Sequence, residues 1–498
     1  MTNLLMLLPT TSSAGPKAEH VRTMLDASHA TLASFQIPAI TESGDSLDKD
    51  QFESFQYQHG IDLLQVGEGF RLREVILLKL PRRSMLSFCM IHLWSWPDST
   101  FDIGSVRIPW EKEPDPRDNP LGRNPGNIWS FSEPLSDRIK GFQTKFMESG
   151  PSESVSQGRI DIAALERLIK CHTEKGDTVY IWGDAGDHEI ISRSAALLSR
   201  RYAAIPSGAP DQFQGHLRPM LDSPIQSPVL RPERPSLPRG GETKHPPAEY
   251  YITDCRFGLE HIRFPPIDDV VTSPPYNIGY RPFNVPKLNQ RTRILQTPGR
   301  KGYDDEMPAA AYNQLIQSTF HLIDKRLGQD SADVFVNLKN DYGDSECNPP
   351  FWIISLVPRE WAFSDLLVWR YDISYDPAKA KYKPYYEWIF RFTKGEIHRR
   401  PRHRYLRDFY LPILKGNSVE RRDLVSPAVY PKELVRECLS ECRHTGLVLD
   451  PFLGSGTTIA ASWELHRPSI GFEINEGYVH DIDLRLRRAR RLANSHRS

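Results

Sequence analysis

At 498 residues the chain is long enough for two or three folding units. Its 39% hydrophobic and 25% charged content is ordinary for a soluble globular protein, and no apolar run is long enough to span a membrane. A formal net charge of zero hides an uneven division: residues 1–205 hold 22 basic against 27 acidic side chains, and residues 206–498 hold 41 against 36.

The chain opens on Met1-Thr2-Asn3-Leu4-Leu5-Met6-Leu7-Leu8. With no basic region before it, this run is too short for a signal peptide and reads as a buried first strand. Leu165 to Lys170 reads as helix, Gly176 to Asp187 as turn, strand and Gly-containing loop, and Ala195 to Tyr202 as helix running into strand. The same succession recurs between Lys432 and Ile470. Gly183-Asp184-Ala185-Gly186-Asp187-His188 could be the metal cluster of a hydrolase, but that needs more His and Asp ligands at strand ends than the segment offers. From Pro206 to Pro247 the chain is rich in Pro, Ser and Gly without a sustained apolar period. An extended linker at 206–247 is expected, separating an α/β unit at 1–205 from a second at 248–498.

Ile267 to Thr272 reads as a strand, closed by Ser273-Pro274-Pro275-Tyr276. Two prolines lock φ and remove two backbone donors, so the carbonyls of Ser273 and Pro274 become fixed acceptors able to hold an exocyclic amino group. Tyr276 would supply a flat face for a base that has left its stack. Alone, Pro-Pro-Tyr serves equally well as a turn or a proline-rich ligand. Directly after it come Lys287, Arg291, Arg293, Arg300 and Lys301. A second basic run holds Arg399, Arg400, Arg402, Arg404 and Arg407 interleaved with Tyr405 and Phe409, a composition suited to phosphate contact with stacking. Arg485, Arg487, Arg488, Arg490 and Arg491 in the tail read as a solvated helix face.

Gly446-Leu447-Val448-Leu449 reads as a short buried strand, and Asp450 to Gly456 then turns into a helix from about Thr457 to Leu465. Asp450-Pro451-Phe452-x-Gly454-Ser455-Gly456-Thr457-Thr458 fixes eight positions. Its glycines let backbone approach a ligand without an intervening Cβ. Ser469-Ile470-Gly471-Phe472 ends in Glu473, an acid at a strand tip where a ribose would offer hydroxyls. A dinucleotide site would want G-x-G-x-x-G facing pyrophosphate. Asp450 disfavours phosphate there and favours a cationic nucleoside ligand, with its carboxylate beside the ligand's charged end and outside the core.

These residues resemble the amino-methyltransferases of DNA. The order, Thr272 to Tyr276 before Asp450 to Gly456, is that of the permuted beta group, and the resemblance covers about residues 248–490. Ile252-Thr253-Asp254-Cys255 resembles the strand end that reaches the cofactor adenine, which nominates Asp254. Tyr303-Asp304-Asp305 and Glu387 to Gly395 resemble further family segments. Ser426-Pro427-Ala428-Val429-Tyr430-Pro431 resembles His-Pro-Ala-x-Phe-Pro, with Ser426 replacing the His. Asn124-Pro125-Gly126-Asn127-Ile128-Trp129 resembles a string that the family carries before its cofactor segment.

The resemblance implies a Rossmann-like doubly wound sheet, a class I methyltransferase fold, in the carboxyl half. A degenerate methyltransferase-like α/β half precedes it, inactive because Ile181-Trp182-Gly183 stands where the intact loop has Asp450-Pro451-Phe452. It further implies S-adenosyl-L-methionine as cofactor and double-stranded DNA as substrate. Ser273 in place of Asp or Asn implies cytosine N4 as target, with adenine N6 the alternative. A restriction endonuclease is the expected companion, and the chain is expected to be a monomer holding an internal pseudo-dimer. Six scattered cysteines, at 89, 171, 255, 347, 438 and 442, without a CxxC or Cys-His cluster, indicate neither zinc nor disulfides and fit a reducing cytoplasm. Two other classes compete. A non-catalytic DNA-binding scaffold is opposed by the intact motifs, and a nicotinamide oxidoreductase by the missing G-x-G-x-x-G.

Overall fold

The computed structural model describes residues 3–7, 25, 28, 30–36, 70–79, 88–96, 98–99, 101–106, 128–129, 162–182, 185–204, 247–275, 307–328, 331–339, 353–370, 386–396 and 430–495. The 206–246 part of the expected linker, Tyr276, Gly183, Asp184, Ser426 and both proposed DNA-contacting runs lie outside the described residues.

The first half contributes β1 (Leu4–Leu7), β2 (Thr31–Gln36), β3 (Arg71–Lys79), β4 (Phe88–Ser95), β5 (Ile128–Trp129), β6 (Thr178–Trp182) and β7 (Arg201–Ala204). Its helices are α1 (Ile162–His172) and α2 (Ala185–Leu197). The expected helix, strand, loop, helix, strand succession is therefore present. These strands form one sheet in the order β5-β3-β4-β2-β1-β6-β7. Side chains alternate across it: Leu4 and Met6 join α1 in one buried cluster, while Leu5 and Leu7 face the other way.

The second half contributes β8 (Ala248–Ile252), β9 (Asp269–Thr272), β10 (Ser331–Lys339), β11 (Trp361–Arg370), β12 (Tyr386–Gly395), β13 (Val448–Asp450) and β14 (Ser469–Glu473). Its helices are α3 (Cys255–His261), α4 (Ala309–Asp324), α5 (Ile353–Leu356), α6 (Lys432–Glu441), α7 (Thr457–Glu464) and α8 (Val479–Ser495). The sheet order is β11-β12-β10-β9-β13-β14-β8. From β10 to β8 every pairing is parallel, and the β11–β12 hairpin is antiparallel. The expected doubly wound sheet thus carries a reversed edge. Such a sheet buries both faces, so its central strands read as unbroken apolar runs. Val270 packs with Ile316 and Phe320 of α4, while the adjacent Val271 packs with Leu434 and Val435 of α6.

The two sheets match strand for strand. Reading β1, β2, β3, β4, β6 and β7 against β9, β10, β11, β12, β13 and β14 gives the same order and the same parallel or antiparallel sense throughout. Even the irregularity recurs, with a register shift between Leu72 and Glu74 in one hairpin and between Phe363 and Asp365 in the other. β5 and β8 are additions at opposite edges. Leu5, Leu7, Leu32, Val75, Leu77 and Trp94 from the first sheet belong to one buried cluster with Val334, Phe363, Trp388 and Phe390 from the second. The Tyr386 hydroxyl donates to the Val75 carbonyl at 2.6 Å, buried within that cluster. Among the described residues no helix is long and apolar enough to cross a membrane.

Candidate active site

β9 and β13 are parallel neighbours, so the segments leaving their carboxyl ends start side by side. These segments are Ser273-Pro274-Pro275 and Pro451 to Gly456, which are 178 residues apart in sequence at the Thr272–Asp450 contact. Brought to one sheet edge, they form the two sides of one site.

The strap at 273–275 is held from outside its own motif. The Tyr312 hydroxyl, on α4, donates to the Pro275 carbonyl at 2.8 Å. Asn337 of β10 places Nδ2 3.5 Å from Ser273 Oγ and 2.8 Å from Glu387 Oε2 of β12. Asn337 and Glu387 are both buried, so the amide beside the strap is itself held by a buried carboxylate. Sequence reading missed Tyr312 and Asn337. Nothing local marks them, because one sits in an ordinary amphipathic helix and the other in an ordinary strand.

Asp450 is where structure and expectation part. The strand was expected to end at Leu449, yet Asp450 pairs with Gly471 in the ladder and belongs to β13. Its side chain consequently enters the core and is 0% exposed. Oδ1 accepts from Thr272 Oγ1 at 2.8 Å and from the Phe452 N–H at 3.1 Å. Oδ2 accepts from Thr458 Oγ1 at 2.6 Å and from the Tyr430 hydroxyl at 3.0 Å. Burial pushes its carboxyl pKa up, opposed by the donors on Thr458, Thr272, Phe452 and Tyr430. Asp450 is thus a buried hydrogen-bond acceptor, and the expectation that its carboxylate lies outside the core is corrected.

The rest of the loop divides by exposure. Phe452 and Gly454 are half-buried, whereas Pro451, Ser455, Gly456, Thr457 and Thr458 are buried. The two glycines serve different purposes. Gly456 has φ 82°, and a Cβ there would meet Ile482 Cα of α8 at 3.2 Å, so it answers to packing. Gly454 has φ 53°, and a Cβ there would meet nothing nearer than the Phe452 carbonyl oxygen at 4.0 Å. Space beside the backbone is open at Gly454.

Two acids stand at the same edge. Glu473 ends β14 and is buried; its Oε2 accepts from the Gly454 N–H at 2.7 Å and its Oε1 from the Asn475 N–H at 2.7 Å. Burial raises its pKa to about 7, against the lowering effect of those two backbone donors. Asp254 follows β8 and caps α3, accepting from the Arg256 N–H at 2.8 Å and pairing with the Arg256 guanidinium at 2.7 Å. Among the described residues Asp269, Asp333 and Cys442 have metal-ligand spacing, but they lie at the opposite ends of the strands. Arg391 pairs with Asp333 at 2.9 Å and Arg467 with Asp269 at 2.6 Å, so guanidinium groups already occupy both carboxylates.

Residues 267–483 match the family model described as DNA methylase, N6_N4_Mtase. The chain is 45% identical over 64 residues to the type II methyltransferase M.SmaI of Serratia marcescens, covering 13% of this chain and 22% of that protein. It is 30% identical over 135 residues to M.XycI of Xanthomonas campestris pv. cyanopsidis, covering 24% and 42%. The matched segments thus span less than half the length of these curated relatives. Among solved structures, PvuII DNA methyltransferase (cytosine-N4-specific) aligns at 19% identity over 49% of this chain and 90% of that one, with a TM-score of 0.36. The M1.HpyAVI-SAM complex aligns at 16% identity over 48% and 98%, with a TM-score of 0.34.

Proposed function

We propose, from the match of residues 267–483 to the DNA methylase family model, that the chain transfers the methyl group of S-adenosylmethionine to the exocyclic amino group of a base in duplex DNA, cytosine N4 foremost. The observation that carries this reading is the convergence of the Ser273–Pro275 strap and the Asp450–Gly456 loop at one sheet edge, joined by the Thr272–Asp450 hydrogen bond of 2.8 Å.

The residues present suit the cofactor. Gly454 leaves open space beside its backbone, and buried Glu473 has acceptor capacity beyond its two backbone donors for ribose hydroxyls. Phe452 is half-buried beside them, a flat apolar face for the cofactor. Bound there, S-adenosylmethionine supplies an electrophilic methyl group on a sulfonium.

The chain's own residues do the rest. An amino group conjugated to its ring is a poor nucleophile until its lone pair is localised. The carbonyls of Ser273 and Pro274, fixed by two locked prolines, accept the amino hydrogens and favour that geometry. Tyr276 stacks on the extruded base. The nitrogen attacks directly, so catalysis is positioning and electrostatics without a covalent enzyme intermediate. Lys287, Arg291, Arg293, Arg300, Lys301, Arg399, Arg400, Arg402, Arg404 and Arg407 hold phosphates around the pocket.

One observation favours adenine N6 as a second reading. Asn337 brings an amide to the Ser273 hydroxyl, and family members acting on adenine carry an amide or acid in the motif itself. Residues 1–205 are, on this reading, a silent duplicate that covers the catalytic half and makes the chain an internal pseudo-dimer. Its six matching strands support that, and work beside a restriction enzyme in the cytoplasm fits the type II relatives. Incubation with tritiated S-adenosylmethionine and unmethylated DNA, followed by nucleoside chromatography, tests the reading. N4-methylcytosine supports it, N6-methyladenine transfers it to the second reading, and label in neither base defeats both.

A further inference from the structure

Asp450 ties together three segments of the site. Thr272 immediately precedes the strap, Thr458 lies in the first turn of α7 behind the cofactor loop, and Tyr430 precedes α6. All four side chains are buried or half-buried, and the Tyr430 and Thr458 oxygens also lie within hydrogen-bond distance of each other. Thr458 further reaches the Val271 carbonyl at 3.3 Å, so β9 is held twice from the cofactor side.

Resting on the reading above, we propose that Asp450 is a positioning residue and not a cofactor ligand: it clamps the Ser273–Pro275 strap, through Thr272, to the loop that holds the cofactor. Two prolines and the pre-proline restriction on Ser273 stiffen the strap internally, but its direction is set by what anchors the chain just ahead of it. Thr272 is that anchor, one residue before Ser273. Its hydroxyl donates to a carboxylate that is itself fixed by α7 and Tyr430, so the acceptor carbonyls keep one distance from the methyl donor's site. In a near-attack arrangement a small misplacement of such groups lowers turnover severely while substrate and cofactor still bind.

Thr272→Val removes the donating hydroxyl at nearly constant shape, and Thr272→Ser restores it. In the full-length protein we expect Thr272→Val to lower kcat about tenfold or more, with calorimetric S-adenosylmethionine Kd within about threefold of wild type, and Thr272→Ser to recover most of the rate. Wild-type kcat in Thr272→Val, or a loss of cofactor affinity as large as the loss of rate, overturns the proposal. A second measurement does not depend on activity. Tyr430→Phe loosens the clamp from the far side, and amide hydrogen exchange at Thr272 and Ser273 should then quicken at least about fivefold. Unchanged exchange there overturns the clamp even if the wild type methylates DNA. Quickened exchange in a protein that transfers no methyl group supports the clamp while defeating the methyltransferase reading.

Discussion

With Glu473 holding the cofactor's ribose as proposed, cofactor binding is expected to be proton-linked. The Glu473 carboxyl is buried and its pKa stands at about 7, above the ordinary 4.5, chiefly because burial penalises the charge. The folded protein therefore favours the protonated form. The stability this contributes is complete below about pH 4.5 and is lost as pH rises through about 7; the whole swing is about 3 kcal/mol. Ribose hydroxyls donating to Glu473 would favour the carboxylate, so the cofactor should bind the ionised form and expel the proton. Affinity should then rise by up to about tenfold per pH unit below about pH 7 and level off above it. Calorimetry with S-adenosylmethionine in two buffers of different ionisation enthalpy counts the protons. We expect release of close to one proton at about pH 6 and close to none at about pH 8. Glu473→Gln should abolish the release and weaken binding, since one backbone N–H, from Gly454 or Asn475, would then face an amide N–H. An affinity independent of pH across this range, or proton uptake on binding, would refute the reasoning.

Three further outcomes are expected. Tyr276→Ala should abolish methylation yet keep DNA affinity within roughly two orders of magnitude by gel shift, because stacking on one base is worth roughly 1–3 kcal/mol and phosphate contacts dominate; equal activity would remove Tyr276 from the base platform. Gly456→Ala should lower the melting temperature more than Gly454→Ala, because both add the left-handed strain of roughly 1–2 kcal/mol but only Gly456 also brings a Cβ to 3.2 Å from Ile482 Cα. Cofactor affinity should respond in the opposite order, since the open space lies at Gly454. Finally, a fragment of residues 245–498 should associate in light scattering and lose sequence preference, because it exposes the face that shares a buried cluster with Leu5, Val75 and Trp94. A soluble monomeric fragment with full site-specific activity would make the first half an independent appendage.

The parts of this protein that could be read from sequence are those whose cause is local. Val448 and Leu449 followed by Asp-Pro-Phe-x-Gly-Ser-Gly announce a strand, a turn and a helix, because β-branched residues, proline and glycine constrain their own backbone. α7 begins at Thr457 as expected, and Gly454 and Gly456 both take positive φ. The repeated succession of helix, strand, loop and helix in the first half was legible on the same grounds. Where the acid would point was not. Whether Asp450 is the last residue of the ladder or the first of the turn depends on its pairing with Gly471, a partner brought by another strand. That single register step places in the core a side chain expected outside it. Tyr312 and Asn337 reach the strap only because α4 and β10 are packed beside β9. Their sequence surroundings are those of ordinary helix and strand. Composition and periodicity act through neighbours along the chain and so determine the elements; a site acts through neighbours in space, and only the packed sheet decides which side chains those are.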